Sequence, residues 1–268
     1  KAGENGFLCC GVPEEYGGPG ADFLYNMALS EETGYAIGGA SVGFSVSADI
    51  VAYYLMNAGT EAQKHKWLPK MVTGEVIAAI GMTEPGAGSD LKAIRTSAVR
   101  DGDEYVINGQ KTYITNGQNS DFVLLACVTG PGKGARGISM IIVEADRPGF
   151  ERGRNLDKIG QKAADTSEMF FQDVRVPVSN LVGQEGEGFA MMMRELPRER
   201  ITIACRAQAE AQRAFDVTNE YVKERKMFGQ ALADFQNTQF TLADIKTNLE
   251  VGWAFLDQCI KKCAEGTL

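Results

Sequence analysis

One histidine, His65, stands among 268 residues. That scarcity excludes a two-histidine metal site, and a histidine-centred triad or relay would have to use this single ring. The six cysteines, at 9, 10, 127, 205, 259 and 263, lack CxxC spacing, which removes the zinc and dithiol redox classes and leaves reduced thiols. Cys259 and Cys263 share a helix face and read as core or boundary residues. Basic side chains are in deficit: 27 Lys and Arg against 35 Asp and Glu give a net charge of −8. A general nucleic-acid binder needs clustered Lys and Arg, so the charge balance argues against that class. No stretch reaches the roughly 20 uncharged apolar residues of a membrane span. The nearest, Ser41 to Ala58, contains Asp49 and reads as a buried core helix. The opening Lys1-Ala2-Gly3-Glu4 has neither an initiator methionine nor an apolar signal core and reads as the middle of a longer chain.

What is present is a globular composition, 44% apolar and 23% charged, with length for about two domains at roughly 150 residues each. The first quarter reads as helical. Asp22 caps a helix to about Gly34, the apolar stretch from Ser41 ends at Gly59, and Thr60-x-x-Gln63 is a capping box opening a helix that ends at Gly74. His65 lies on an exposed turn of that last helix and reads as a surface residue. From Val76 the pattern becomes β: Thr96 to Arg100, Glu104 to Ile107, Lys111 to Thr115, Phe122 to Val128, Gly137 to Val143 and Met169 to Val176. Asp101-Gly102 and Asn108-Gly109 separate the first three runs as tight turns, predicting an antiparallel barrel or sandwich rather than a parallel sheet. Gly130-Pro131-Gly132-Lys133-Gly134 reads as a hairpin connection, not a phosphate-binding loop. Helical periodicity returns after Gly183. Pro197 is expected to end a short apolar helix, with a long helix from Arg198 to Glu224 and a last one carrying Leu242, Ile245, Leu249, Trp253, Leu256 and Ile260. Two such helices cover each other poorly, so a partner subunit or further chain is expected to cover them.

The densest chemical signal is Gly81-Met82-Thr83-Glu84-Pro85-Gly86-Ala87-Gly88-Ser89-Asp90, where helices give way to strands. Its glycines allow backbone N–H groups to approach an anion, and Thr83 and Ser89 add hydroxyl donors. As a bare pattern it is weak, being neither GxxxxGK[ST] nor a dinucleotide-binding GxGxxG. As a string, GMTEPGAGSDLKA resembles the signature of the acyl-CoA dehydrogenase flavoenzymes. GFLCCGVPEEYGGPGAD precedes it, and KTYITNG, GRNLDKIGQKAADT, FFQDVRVP, ELPRERITIA and ERKMFGQALADFQ follow in the family's order, so the resemblance covers essentially the whole chain.

The resemblance implies an α+β protein with a helical N-terminal domain (1–75), a central antiparallel β-barrel domain (76–183) and part of a C-terminal helical bundle (184–268), stopping in mid-bundle. It implies FAD bound between β-domain and bundle, usually in a homotetramer. By motif match, Met82 and Thr83 would contact the flavin, Thr83 near N5. Gly88 and Ser89 would lie near flavin phosphates or the substrate's CoA, Tyr113 takes a position where many members have Trp, and Thr115 would hydrogen-bond the flavin. Arg225, Phe228 and Gln236 match residues that grip the FAD of a neighbouring subunit. The implied reaction is α,β-dehydrogenation of an acyl-CoA to the trans-2-enoyl-CoA, with electrons passed to an electron-transfer flavoprotein.

The implied base is a carboxylate in a dry cleft. The chain lacks the Tyr-Glu-Gly-Thr-like string that holds it in most members; Glu199 falls on the position used by long-chain and isovaleryl-type members, with Arg200 beside it in the substrate site. Read without the resemblance, Glu199 is a helix N-terminal acid placed for the dipole. Ala164 replaces a serine that contacts CoA in several members, and Met227 replaces a frequent threonine. Other readings left open are an oxidase or monooxygenase on the same fold and a non-catalytic acyl-CoA-binding scaffold without FAD. The compartment implied is cytoplasm for a bacterial protein and mitochondrial matrix for a eukaryotic one.

Overall fold

A computed structural model describes residues 1–36, 42–132 and 134–268, leaving the side chains of 42 and 43 undescribed. Ser41, where the apolar stretch was expected to begin, and Lys133 of the hairpin connection lie outside the described residues. The helices before the sheet are α1 (Phe23–Tyr35), α2 (Val42–Ser45) running through a π-helical turn (Val46–Val51) into α3 (Ala52–Ala58), and α4 (Glu61–Thr73). Strands β1 (Ala78–Gly81), β2 (Ser97–Asp101), β3 (Glu104–Thr115), β4 (Phe122–Val128), β5 (Ile138–Glu144), β6 (Phe150–Asn155), β7 (Thr166–Pro177) and β8 (Leu181–Val182) follow. The chain then forms α5 (Gly188–Glu224), the short pair β9 (Lys226–Met227) and β10 (Gln230–Ala231), and α6 (Gln236–Ala264). The protein is α+β, helices flanking a central β-rich region, and none of its described helices is long and apolar enough to cross a membrane.

The described chain forms two compact units, residues 1–21 with 40–196, and residues 22–39 with 197–268. In the first, β6-β7-β3-β2-β4-β5-β8 form one sheet with β1 added beside β4. Most pairs are antiparallel, as expected, but β1 and β2 both meet β4 in parallel. Alternate residues of β4 and β5 enter two separate cores. Phe122, Leu124, Ala126, Met140 and Ile142 pack with Val12 and the helical residues Leu55, Trp67 and Leu68. Val123, Leu125, Cys127, Ile141 and Val143 pack with Tyr105, Ile107, Met169 and Val174 from β3 and β7, so the sheet curls around an interior of its own. Both faces being covered, these strands read as unbroken apolar runs. Each fully buried Leu or Ile among them contributes about 1.5–3 kcal/mol.

Asn108-Gly109, expected to be a tight turn, instead lies inside the continuous strand β3. The reason is tertiary. Gly109 has φ +152° and its missing Cβ leaves room for the Thr96 side chain, while Asn108 exchanges bonds with Asp173 across a bulge in the β3–β7 pairing. Pro197 likewise does not end a helix: α5 runs unbroken through it. Proline costs the helix one ladder bond, but apolar packing exists on both sides of it, through Met191 and Met192 before and Ile201 and Cys205 after.

The helix starts are locally encoded. Asp22 accepts from Leu24 N–H at 3.0 Å at the start of α1, and Thr60 and Gln63 cap α4 reciprocally at 3.2 and 3.0 Å. Gln63 also donates from its buried amide to the carbonyls of Ser179 and Leu181, tying α4 to the segment entering β8.

In the second unit α1 packs with the C-terminal helices, although the sequence groups it with the helices that follow it. A Cβ on Gly34 would sit 2.7 Å from Arg206 O and 3.1 Å from Ala209 Cβ, so glycine permits the contact. Tyr35 bonds Asp216 at 2.8 Å, and Met27, Ile201, Cys205 and Leu256 form a small core that Trp253, Cys259 and Cys263 flank. A third helix thus supplies part of the cover that α5 and α6 lack for each other. Phe240, Ile245, Val251 and Phe255 of α6 remain exposed in the described chain.

The double role of Gln63 separates local from tertiary stabilisation. Thr60→Ala, which removes only the cap, should lower unfolding free energy by about 1 kcal/mol; Gln63→Ala, which also leaves two carbonyls unmatched, should lower it by about 2–3 kcal/mol in urea titrations.

Candidate functional site

The segment after β1 supplies the first part of the site. Met82 and Thr83 leave the sheet, and Thr112 N–H bonds Thr83 O at 3.0 Å, laying this segment beside β3. There β3 is irregular: Lys111 pairs with Met169 and Ile114 with Ser167, so Thr112 and Tyr113 together face one residue of β7. Such a bulge redirects a side chain. Tyr113 takes φ +60° and its ring is 69% exposed, a conformation that strains a non-glycine residue by about 1–3 kcal/mol. Met82, Thr83 and Thr115 are half-buried around it. Among the described residues the Thr83 and Thr115 hydroxyls have no hydrogen-bond partner.

Beyond Thr83 the chain closes a tight loop through Glu84 N–H to Ala87 O (2.9 Å) and Ala87 N–H to Glu84 O (3.1 Å). Gly86, Gly88 and Ser89 are on its exposed side, and a Cβ at either glycine would meet open space. Backbone approach, not internal packing, is what glycine leaves free here.

Beneath these exposed groups lies an ion pair that the sequence reading missed. Lys111 Nζ is 2.8 Å from Glu84 Oε1 and donates to Met82 O at 3.0 Å. The two oxygens of Glu84 also accept from the N–H groups of Arg95 and Thr96 at 2.8 and 3.0 Å. Burial pushes the Glu84 carboxyl up, but the Lys111 charge and these hydrogen bonds outweigh it and hold the group below its ordinary value. Burial draws the Lys111 ammonium down against the opposing pull of Glu84. The signal was available as Glu84 in the MTEP string and Lys111 in KTYITNG, 27 residues apart, but nothing in spacing alone pairs them.

The second unit carries the remaining candidates. Glu199 is buried within α5, 7% exposed, and Arg200 is exposed. Past the end of α5, Lys226 and Met227 pair with Ala231 and Gln230 around a two-residue turn, Phe228 (φ +52°) and Gly229 (φ +82°). The positive φ pair suits a hairpin turn, though phenylalanine is an unusual occupant. Its ring is 89% exposed. Arg225, at the root of this hairpin, and Gln236, in the first turn of α6, are exposed too. Met82, Thr83, Tyr113, Thr115, Gly88 and Ser89 therefore gather on the first unit, and Glu199, Arg200, Arg225, Phe228 and Gln236 belong to the second. No group of three His, Cys, Asp or Glu side chains able to hold a metal occurs among the described residues. All six cysteines are free, with Cys9, Cys10, Cys127 and Cys205 buried.

A three-part fold of helices, curled sheet and helices, with a polar and aromatic patch where the first strand meets the third, is that of a known class. Three family models match in order: acyl-CoA dehydrogenase N-terminal domain (residues 1–75), middle domain (79–174) and C-terminal domain (186–268). A crystal structure of acyl-CoA dehydrogenase from Geobacillus kaustophilus superposes with a TM-score of 0.97 at 50% identity, over 100% of this chain and 70% of that one. The chain belongs to the acyl-CoA dehydrogenase family. The mitochondrial long-chain specific acyl-CoA dehydrogenase of Mus musculus is 45% identical over 97% of this chain, and the short-chain specific enzyme of Clostridium acetobutylicum is 40% identical over 93%. The chain spans 61% of the length of the mouse protein and 66% of the bacterial one.

The Glu84–Lys111 pair makes acid sensitivity a local prediction. Because the Glu84 carboxyl is held below the ordinary glutamate value, its contribution is complete above that ordinary value and is lost as pH falls through the lower folded one. Urea midpoints between pH 6 and 3 should therefore fall less steeply in Glu84→Gln than in the wild type.

Proposed function

We propose that this chain carries the flavin and acyl-CoA machinery of an FAD-dependent acyl-CoA dehydrogenase, converting an acyl-CoA thioester to its trans-2-enoyl-CoA. The observation that carries the reading is the patch of Thr83, Tyr113 and Thr115: an exposed aromatic ring on a strained bulge, flanked by two hydroxyls without protein partners. Its donors suit the nitrogen and oxygen acceptors of an isoalloxazine, and the ring suits stacking on a flat heterocycle. Met82 completes the contact surface. Gly88 and Ser89, on a loop with open space around its glycines, would approach a phosphate or the CoA. The chemistry FAD supplies when bound is acceptance of a hydride.

The rest of the reaction falls to the chain. Glu199 is the proposed base that removes the α-proton; its burial fits a carboxylate kept from water, which is where such a group can work near neutral pH. Arg200 would contribute to the substrate site's electrostatics. The thioester oxygen needs hydrogen-bond donors as the α-proton leaves, because charge develops there. Histidine has no part in this chemistry.

Arg225, Phe228 and Gln236 form an exposed arm and helix start, and we assign them to the FAD of a neighbouring subunit. A phenylalanine held in a strained turn and left 89% exposed fits a residue made to enter another surface. The exposed Phe240, Val251 and Phe255 of α6 support a homo-oligomer in the same way. Electron-transfer flavoprotein is the proposed acceptor. The base position favours a long-chain or branched-chain substrate, and the division 1–75, 76–183 and 184–268 is the proposed domain plan. The proposed compartment is bacterial cytoplasm or mitochondrial matrix.

Anaerobic mixing of FAD-loaded protein with a panel of saturated acyl-CoAs should bleach the flavin band. Glu199→Gln should retain FAD while slowing bleaching by a factor of about 10² to 10⁴; bleaching at the wild-type rate would remove Glu199 as the base. A preparation that takes up no FAD would support the non-catalytic scaffold instead. Phe228→Ala should weaken FAD retention with little effect on melting temperature, read by flavin release during gel filtration.

A further inference from the structure

The buried Lys111–Glu84 pair touches none of the atoms the proposed reaction changes, yet it joins the strand that carries Tyr113 and Thr115 to the segment that carries Met82 and Thr83. The Lys111 side chain is 0% exposed and that of Glu84 8%. A buried ion pair is a poor source of stability, because well-packed apolar side chains of similar volume would often serve as well or better. Its presence calls for another explanation, and its bonds supply one.

Apart from the bond between the two side chains, its bonds end on backbone. Lys111 holds the Met82 carbonyl, and Glu84 holds the N–H groups of Arg95 and Thr96. The backbone of Glu84 also closes the loop to Ala87 that presents Gly86, Gly88 and Ser89. Gly81, next to Met82, packs against the sheet: a Cβ there would crowd Leu125 Cδ1 at 3.0 Å and Val123 Cγ1 at 3.1 Å.

The geometry of one peptide gives the consequence. The bond between Met82 and Thr83 is trans, so its carbonyl and N–H point in opposite directions. With the Met82 carbonyl held on the ammonium, the Thr83 N–H is turned away from it. Among the described residues that N–H has no acceptor.

We propose that Lys111 is a positioning residue for the flavin: through the Met82 carbonyl it aims the Thr83 N–H at the bound ring, and through Glu84 it holds the loop of Gly86 to Ser89. The inference rests on the FAD reading above. It also explains why a charged donor is used here, since hydrogen bonds to an ion are the stronger kind and fix the peptide plane more firmly than a neutral contact.

The test compares wild type, Lys111→Met, Glu84→Gln and the double variant Lys111→Met/Glu84→Gln, using the full chain. FAD affinity is read by fluorescence titration, the reduction potential by dye equilibration, and folding by circular dichroism. Lys111→Met alone leaves Glu84 buried without its cation and is expected to melt early. The double variant removes one charge of each sign, so net charge is unchanged and melting should return toward that of wild type. Its Kd for FAD should nevertheless rise about tenfold or more, and its potential should become more negative, because an oriented donor favours the reduced, electron-rich ring. Glu84→Gln, which keeps Lys111 on the Met82 carbonyl, should lose less affinity than the double variant. A folded double variant with wild-type Kd and potential would overturn the positioning role while leaving the flavin reading intact. A wild-type chain that binds no FAD would overturn both. If the double variant does not fold, Lys111→Arg, which keeps the charge but changes the reach to Met82, is read in the same two assays: weaker binding and a lower potential support the role, and unchanged values overturn it.

Discussion

A lysine and a glutamate buried against each other hold together the part of the fold where strands meet loops. Lys111 at 2.8 Å from Glu84 Oε1 connects β3 to the segment after β1, and Glu84 connects that segment to the residues before β2. The sheet on either side is stabilised by apolar burial, which is nondirectional. The ion pair is directional, and it selects one arrangement of the Met82–Thr83 peptide and the following loop. The strained Tyr113, two residues along from Lys111, is held in the same neighbourhood by the bulge against β7.

Stability and exposure are divided accordingly. The central strands β4 and β5 face apolar cores on both sides, which gives a rigid base, and the groups proposed to meet ligands stand at its margin. The second unit has much less interior: four buried residues from α1, α5 and α6 form its core cluster. Several large apolar side chains of α6, and the hairpin after α5, face outward. Large apolar side chains exposed along one helix mark an interaction surface, which is why an oligomer enters the functional proposal and not the description of the fold.

Much of the architecture was legible because it rests on local signals. The Asp22 and Thr60–Gln63 caps mark helix starts by hydrogen bonds made within three residues, and Phe122–Val128 is a strand of seven successive β-favouring or apolar residues. Short or polar strands were not legible: β6 has little buried side chain, and β8 is two residues long. Asn108-Gly109 carries a turn signal that a strand overrode, because Thr96 and Asp173 reach it from elsewhere in the chain. Pro197 carries a breaker signal that packing on both sides of it overrode. Of the candidate site, the motif strings identified Thr83, Tyr113 and Thr115 by resemblance, while the buried partner of Glu84 escaped notice because a lysine in a strand ordinarily reads as solvated.

What the sequence by itself determined is what depends on neighbours along the chain: helix caps, strand content, the order of helical and β segments, and the motif strings that mark the family. It also determined the absences that follow from counting, such as a histidine content too low for a two-histidine metal centre. The tertiary structure decided what depends on residues far apart. It placed α1 with α5 and α6, turned Tyr113 outward on a bulge and joined Lys111 to Glu84. The physical reason is that an ion pair, a bulge or a helix contact is specified by two or more surfaces at once, and each surface alone is compatible with many partners.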